Sequence, residues 1–139
     1  MKRATPAEKA QRLQHANALL ETISKYGRRF FFNEKNNVVA KFAIGGDNHI
    51  YFIDDYTLKA VYTAYRGRWR GFSHGGTLRQ LVEALSYYIK TGQRLSIDWI
   101  GPERFDQSNI WGYSEDQIAK CRSEALLNPA IKPVTTEAP

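Results

Sequence analysis

The 139-residue chain has a single cysteine, Cys121. That excludes an internal disulfide and, with it, the disulfide-stapled secreted scaffolds, and it fits a reducing cytoplasm. No apolar run approaches the ~20 residues that a membrane-spanning helix needs. The amino-terminal MKRATPAEKAQ lacks an apolar central region, so no secretory leader is expected. No internal repeat recurs at the period of a solenoid or propeller. The three histidines, His15, His49 and His74, fall on a helix face, a strand start and a glycine-rich loop, and with one cysteine no spacing resembles a metal-ligand set. The phosphate-loop lysine and the dinucleotide fingerprint are missing as well. Catalysis therefore has thin support, and no enzyme activity, cofactor or metal is expected. An enzyme would have to gather Ser73, His74 and Asp54 or Asp55 in one pocket.

Negative charge is scarce where positive charge is dense. The net charge is +6, divided as +5 in residues 1–29, −1 in 30–64, +5 in 65–94 and −3 in 95–139. Two segments thus hold all of the excess, and clustered charge of one sign steers polyanions. The length and composition fit one folded domain over residues 1–127. From Asn128 to Pro139 the chain holds three prolines and little that can pack, so disorder is expected there.

Hydrophobic spacing predicts an α+β fold. Thr5-Pro6-Ala7-Glu8 is a helix start, with a capping threonine, proline at the first helical position and glutamate completing a capping box. Ala10, Leu13, Asn17, Leu20, Ile23 and Tyr26 then follow at helical spacing, predicting a helix over 6–26. Turn residues next separate short alternating segments, starting at Arg29, Val38, His49 and Leu58. These predict an antiparallel meander of three or four strands between 29 and 65. In 77–91, Leu78, Leu81, Val82, Leu85 and Ile89 form the stripe of a second helix packed on the sheet, with a capping box from Thr77 and Gln80. Arg94 to Ile100 reads as a further strand, and Ser114 caps a smaller third helix.

The densest signal is YRGRWRGFSHGGTLRQ, Tyr65–Gln80, with four arginines, a tryptophan, a histidine and four glycines. Arg66, Arg68 and Arg70 alternate around Trp69. Guanidinium groups fork onto phosphate and aromatic faces stack on bases, so the pattern suits nucleic acid. The alternative is that Trp69 plugs the core while the arginines are solvated. Gly75-Gly76-Thr77 opens a helix, whose unpartnered N–H groups form a general anion site that His74 and Arg79 could complete. Arg28 and Arg29 form a secondary basic patch.

The segments GRRFF (Gly27–Phe31), YFIDDYT (Tyr51–Thr57), YRGRWRGFSHGGTLRQLVEAL (Tyr65–Leu85) and IWGYSED (Ile110–Asp116) together resemble a group of small accessory proteins carried by bacteriophages and plasmids. The resemblance covers about residues 26–125 and implies a mobile-element protein acting inside a bacterium. No activity is assigned to that group, so no site residue transfers. Two functions follow as expectations. One is a nucleic-acid-binding accessory protein that makes mainly phosphate contacts and reads little sequence. The other is an inhibitor of a host protein, of the anti-defence type, meeting an acidic surface with the same arginines and with Tyr51, Tyr56, Tyr65, Tyr87 or Tyr88 as anchors.

Overall fold

A computed structural model describes residues 4–106 and 109–133. The expected α+β architecture is present. Helix α1 (Pro6–Lys25) opens with the anticipated capping box: the Thr5 hydroxyl accepts from the Glu8 N–H and the Glu8 carboxylate accepts from the Thr5 N–H. Its inner face buries Leu19, Leu20 and Ile23 completely. Helix α2 (Gly76–Thr91) turns Leu81, Val82, Leu85 and Ile89 inward, and it stops at Gly92, which adopts the left-handed conformation (φ +83°) that an L side chain resists. Helix α3 (Glu115–Ala125) begins at Ser114, whose side chain accepts from the Gln117 N–H.

The strands are shorter than their alternation suggests. They form a two-stranded ribbon, β1 (Phe32–Asn33) with β2 (Val38–Val39), and a three-stranded antiparallel sheet of β3 (Lys41–Ile44), β4 (Ile50–Ile53) and β5 (Ala60–Tyr62) in that order. Phe42 faces Phe52 and Phe52 faces Val61 across the sheet, and all three are buried against the helices. The strand expected from Arg29 starts only at Phe32. Arg29 and Phe31 both adopt positive φ, +56° and +65°, and a left-handed residue cannot continue a ladder. The alternation of Leu58, Ala60 and Tyr62 is real, but it marks the solvent face of β5, with Val61 turned inward.

Three expectations are corrected by packing. Thr77 does not cap α2: the Arg79 N–H bonds the Gly75 carbonyl at 2.9 Å, so Gly75 is the cap and Thr77 already lies within the first turn. The segment Arg94–Ile100 is not a strand; Ile97–Trp99 is a 3₁₀ turn, and Leu95 alone makes a parallel bridge to Ile131. That bridge also overturns the disorder expected from Asn128. Ala130 and Ile131 are fully buried, and the Asn128 amide donates to the His15 carbonyl of α1 at 2.9 Å. Two apolar side chains and one amide suffice to dock a segment that is otherwise polar. Residues 134–139 of that tail lie outside the described residues.

Candidate nucleic-acid and anion interface

The arginine loop is held by the turn between β4 and β5. Burial opposes the charge on Asp54, but hydrogen bonds from the N–H groups of Ser73, Thr57 and Tyr56 and from the Ser73 hydroxyl outweigh it and hold its pKa below the usual carboxylate value. Asp54 Oδ1 accepts the Ser73 N–H at 2.8 Å and the Ser73 hydroxyl at 3.0 Å. Oδ2 accepts the N–H groups of Tyr56 at 2.9 Å and Thr57 at 3.0 Å. Beside it, Asp55 Oδ1 meets His74 Nε2 at 2.6 Å, and the imidazole is walled by Phe31 at 4.8 Å and Phe72 at 5.5 Å between ring centroids. The Thr57 hydroxyl completes the clamp by donating to the Gly71 carbonyl.

The residues an enzyme would need are therefore gathered, yet they form two separate pairs, Ser73 with Asp54 and His74 with Asp55. A serine whose proton points to one carboxylate and a histidine engaged with another make no nucleophile–base relay. Asp54, Asp55 and His74 also bring potential ligand atoms within 4.8 Å of one another. Both oxygens of Asp54 are already saturated by N–H and O–H donors. That leaves Asp55, whose Oδ2 has no partner among the described residues, and His74, too few donors for a divalent cation with a protein-built shell. The cluster acts as a loop anchor.

What the anchor presents is a basic rim. Arg66, Arg68 and Arg70 are all exposed, and among the described residues none has an ion-pair partner. Trp69 points the other way. It is 5% exposed, its indole N–H donates to the Tyr65 carbonyl at 2.8 Å, and its ring packs edge-on against Phe72. So small an exposed area argues against base stacking by Trp69, which contributes only to the wall of the groove described below. Arg79 is also committed: its guanidinium lies 4.3 Å from the Trp69 ring centroid, donates to the Tyr65 carbonyl at 3.2 Å and pairs with Glu83 at 3.7 Å. His74, sealed behind Asp55, is likewise unavailable to an anion. Arg68 and Arg70 instead border a shallow groove of about 270 Å³ with Tyr62 and Tyr65, two aromatics that are 37% and 55% exposed.

The remaining expected residues lie elsewhere. Gly75, Gly76 and Thr77 line a separate cavity of about 480 Å³ together with Arg28, so this part of the amino-terminal basic patch meets the glycine turn, not the arginine rim. Arg29 does not join it. It stacks 4.0 Å over Phe32, donates to the Ser24 carbonyl at 3.2 Å and serves the α1 exit. Of two further lining residues, Arg104 and Trp111, Arg104 had no periodicity or motif to mark it, and Trp111 was marked only by its place in the IWGYSED segment.

A small α+β domain with a basic, aromatic-bordered loop clamped to its sheet is the class that fold and site define. A family model named YoqU matches residues 6–132. The chain is also 32% identical over 120 residues, 85% of its own length and 81% of the relative's, to a protein of Bacillus subtilis (strain 168) named SPbeta prophage-derived uncharacterized protein YoqU. The chain belongs to the YoqU family, and the resemblance to bacteriophage-borne proteins holds. No solved structure matches.

Proposed function

We propose that this chain is a non-catalytic phage-type accessory protein that binds nucleic acid in the bacterial cytoplasm, mainly through phosphate contacts made by Arg66, Arg68 and Arg70. The observation that carries this reading is the contrast within one loop. Trp69 and Arg79 are consumed in holding its shape, while three guanidinium groups are left exposed without a carboxylate partner. Fixed cations beside exposed rings suit a flexible polyanion, and Tyr62 and Tyr65 take the base-stacking part first assigned to Trp69. Among the described residues no helix is long and apolar enough to cross a membrane. The rival partner is an acidic host-protein surface, with Tyr56, Tyr65 and Tyr87, each more than 45% exposed, as its anchors. Tyr88 is excluded from that role by burial.

A fluorescence titration with single- and double-stranded DNA and RNA at two salt concentrations separates the two. Three phosphate contacts predict a slope of about −2 to −3 in log affinity against log salt, abolished in an Arg66/Arg68/Arg70→Ala triple variant. Absence of binding at low salt, or binding unchanged in that variant, removes the nucleic-acid reading. Capture of an acidic host protein from nuclease-treated lysate, lost in the same variant, establishes the rival.

A further inference from the structure

We infer that the outer face of the three-stranded sheet is a platform on which an unpaired nucleic-acid strand lays its bases. The platform rests on the phosphate-contact role proposed for the arginine rim and deepens it, naming the class of strand and the residues under its bases. Burial alternates along the sheet. Phe42, Phe52 and Val61 turn to the helices, while the opposite face carries Lys41, Ala43, Tyr51, Ile53, Ala60 and Tyr62, all exposed or half-buried. Strand pairing sets Tyr51 directly beside Tyr62. Tyr65, Arg68 and Arg70 border the same groove as Tyr62, so rings and cations adjoin.

Each ring has its own fixture. The Tyr51 hydroxyl donates to Asp47 Oδ2 at 2.6 Å, and its ring lies against Gly45, where a Cβ would stand 2.8 Å away. The Tyr62 hydroxyl stands 3.4 Å from His49 Nδ1. Its ring leans on those of His49 and Tyr51, at 4.9 and 5.8 Å between centroids. The Tyr51 and Tyr62 planes meet at 43°, so the two are not stacked face to face. Tyr65 rests on Gly67, whose Cβ would stand 2.7 Å from the ring, and is still 55% exposed. Rings already held in place lose little freedom when a base stacks on them.

Charge identifies the occupant. Between residues 41 and 70, Lys41, Lys59, Arg66, Arg68 and Arg70 are exposed, against one exposed carboxylate, Asp47. Asp47 is engaged by the Tyr51 hydroxyl and the His49 N–H, and Asp54 and Asp55 are buried. A cationic face bearing aromatic rings suits a ligand that is anionic along its length and offers flat apolar faces. An acidic peptide supplies the charge without those faces. A duplex supplies phosphates, but each of its bases is covered by its neighbours, so the rings favour the single strand.

The test is a fluorescence-anisotropy titration of the full chain at low salt. The labelled probes are oligothymidylate, oligouridylate, a duplex of the same length, an abasic strand that keeps the phosphates and lacks the bases, and oligoglutamate. Wild type is compared with Tyr62→Leu, Tyr65→Leu and the matching Phe variants, their folding checked by thermal melting. The single strands should bind more tightly than every other probe, and the tighter of the two names the preferred sugar. Each Leu variant should weaken single-strand binding about five- to fiftyfold, with abasic affinity and salt slope unchanged. Each Phe variant keeps the ring and should bind as wild type does. Single-strand affinity unchanged in both Leu variants, or matched by the abasic strand, the duplex or oligoglutamate, overturns the platform. So does an equal loss of abasic binding in the Leu variants, which would mean that the rings only shape the rim. The phosphate-contact role survives these results where nucleic-acid binding is still lost in the Arg66/Arg68/Arg70→Ala variant. No binding of any strand by folded wild type removes both.

Discussion

Asp54 shows how one residue can set the position of a whole surface. Its carboxylate is fully buried and receives N–H groups from its own turn and from Ser73, 19 residues away. Replacing it with Asn keeps the size but sets an NH₂ against one pair of those donors, which leaves buried N–H groups unsatisfied. The expected loss is about 2–4 kcal/mol at neutral pH, by chemical denaturation. The pH dependence has a definite sign. Against the opposing effect of burial, hydrogen bonding holds the folded-state pKa below the ordinary carboxylate value, so the stabilisation is present in full above the unfolded value and is lost as pH falls through the folded one. Wild type should therefore lose stability in acid faster than Asp54→Asn, and the gap between them should narrow below about pH 4. A constant gap down to pH 2 would show that Asp54 is not held as a carboxylate. The sequence made aspartate at a turn legible as a local hydrogen-bonding residue. Its long-range half, the clamp on Ser73, depends on a loop folding back across space, which no spacing encodes.

At the scale of elements, the helices were the most legible part of the fold because periodicity and caps are local. The stripe of α2 and the Thr5 and Ser114 caps appear as read. The strand ends were less so, since positive φ at Arg29 and Phe31 leaves no mark in non-glycine residues. For the candidate site, the exposed arginines and the glycine turn were visible. The sealing of His74 and Trp69 was not, because burial of an aromatic depends on what packs over it. Asn17 is a related case. Helical spacing placed it in the α1 stripe and assigned it no role. Its amide pairs with the backbone of β3, accepting the Phe42 N–H at 2.6 Å and donating to the Phe42 carbonyl at 3.2 Å. It thus stands in for a further strand along the β3 edge. Asn17→Leu fits the stripe better by hydrophobicity yet leaves both backbone groups unpaired. It should destabilise by about 1–3 kcal/mol, with faster amide exchange at Phe42. A neutral or stabilising effect would show that water replaces the amide.

The whole molecule is closed by its last described segment. Residues 128–132 lie across α1 and beside Leu95. Leu95 makes a parallel bridge to Ile131: the Leu95 N–H donates to the Ala130 carbonyl at 2.8 Å and the Lys132 N–H to the Leu95 carbonyl at 2.7 Å. Ile131 and Ala130 join the same core as Leu19 of α1 and Ile89 of α2. A chain ended after Leu127, where composition placed the domain boundary, loses the burial of Ile131, worth about 1.5–3 kcal/mol. It also loses the Asn128–His15 bond and the Leu95 bridge, each hydrogen bond contributing about 1 kcal/mol. The sum, on the order of 4–6 kcal/mol, is a large share of the 5–15 kcal/mol available to a domain of ordinary stability. The chain ended after Pro133 keeps every one of these contacts and is the reference. Thermal melting should place the shorter chain well over 10 °C below it, or find it unfolded at 37 °C. Equal melting temperatures would mean that the segment docks without stabilising the core, and the domain would then end at Leu127 after all.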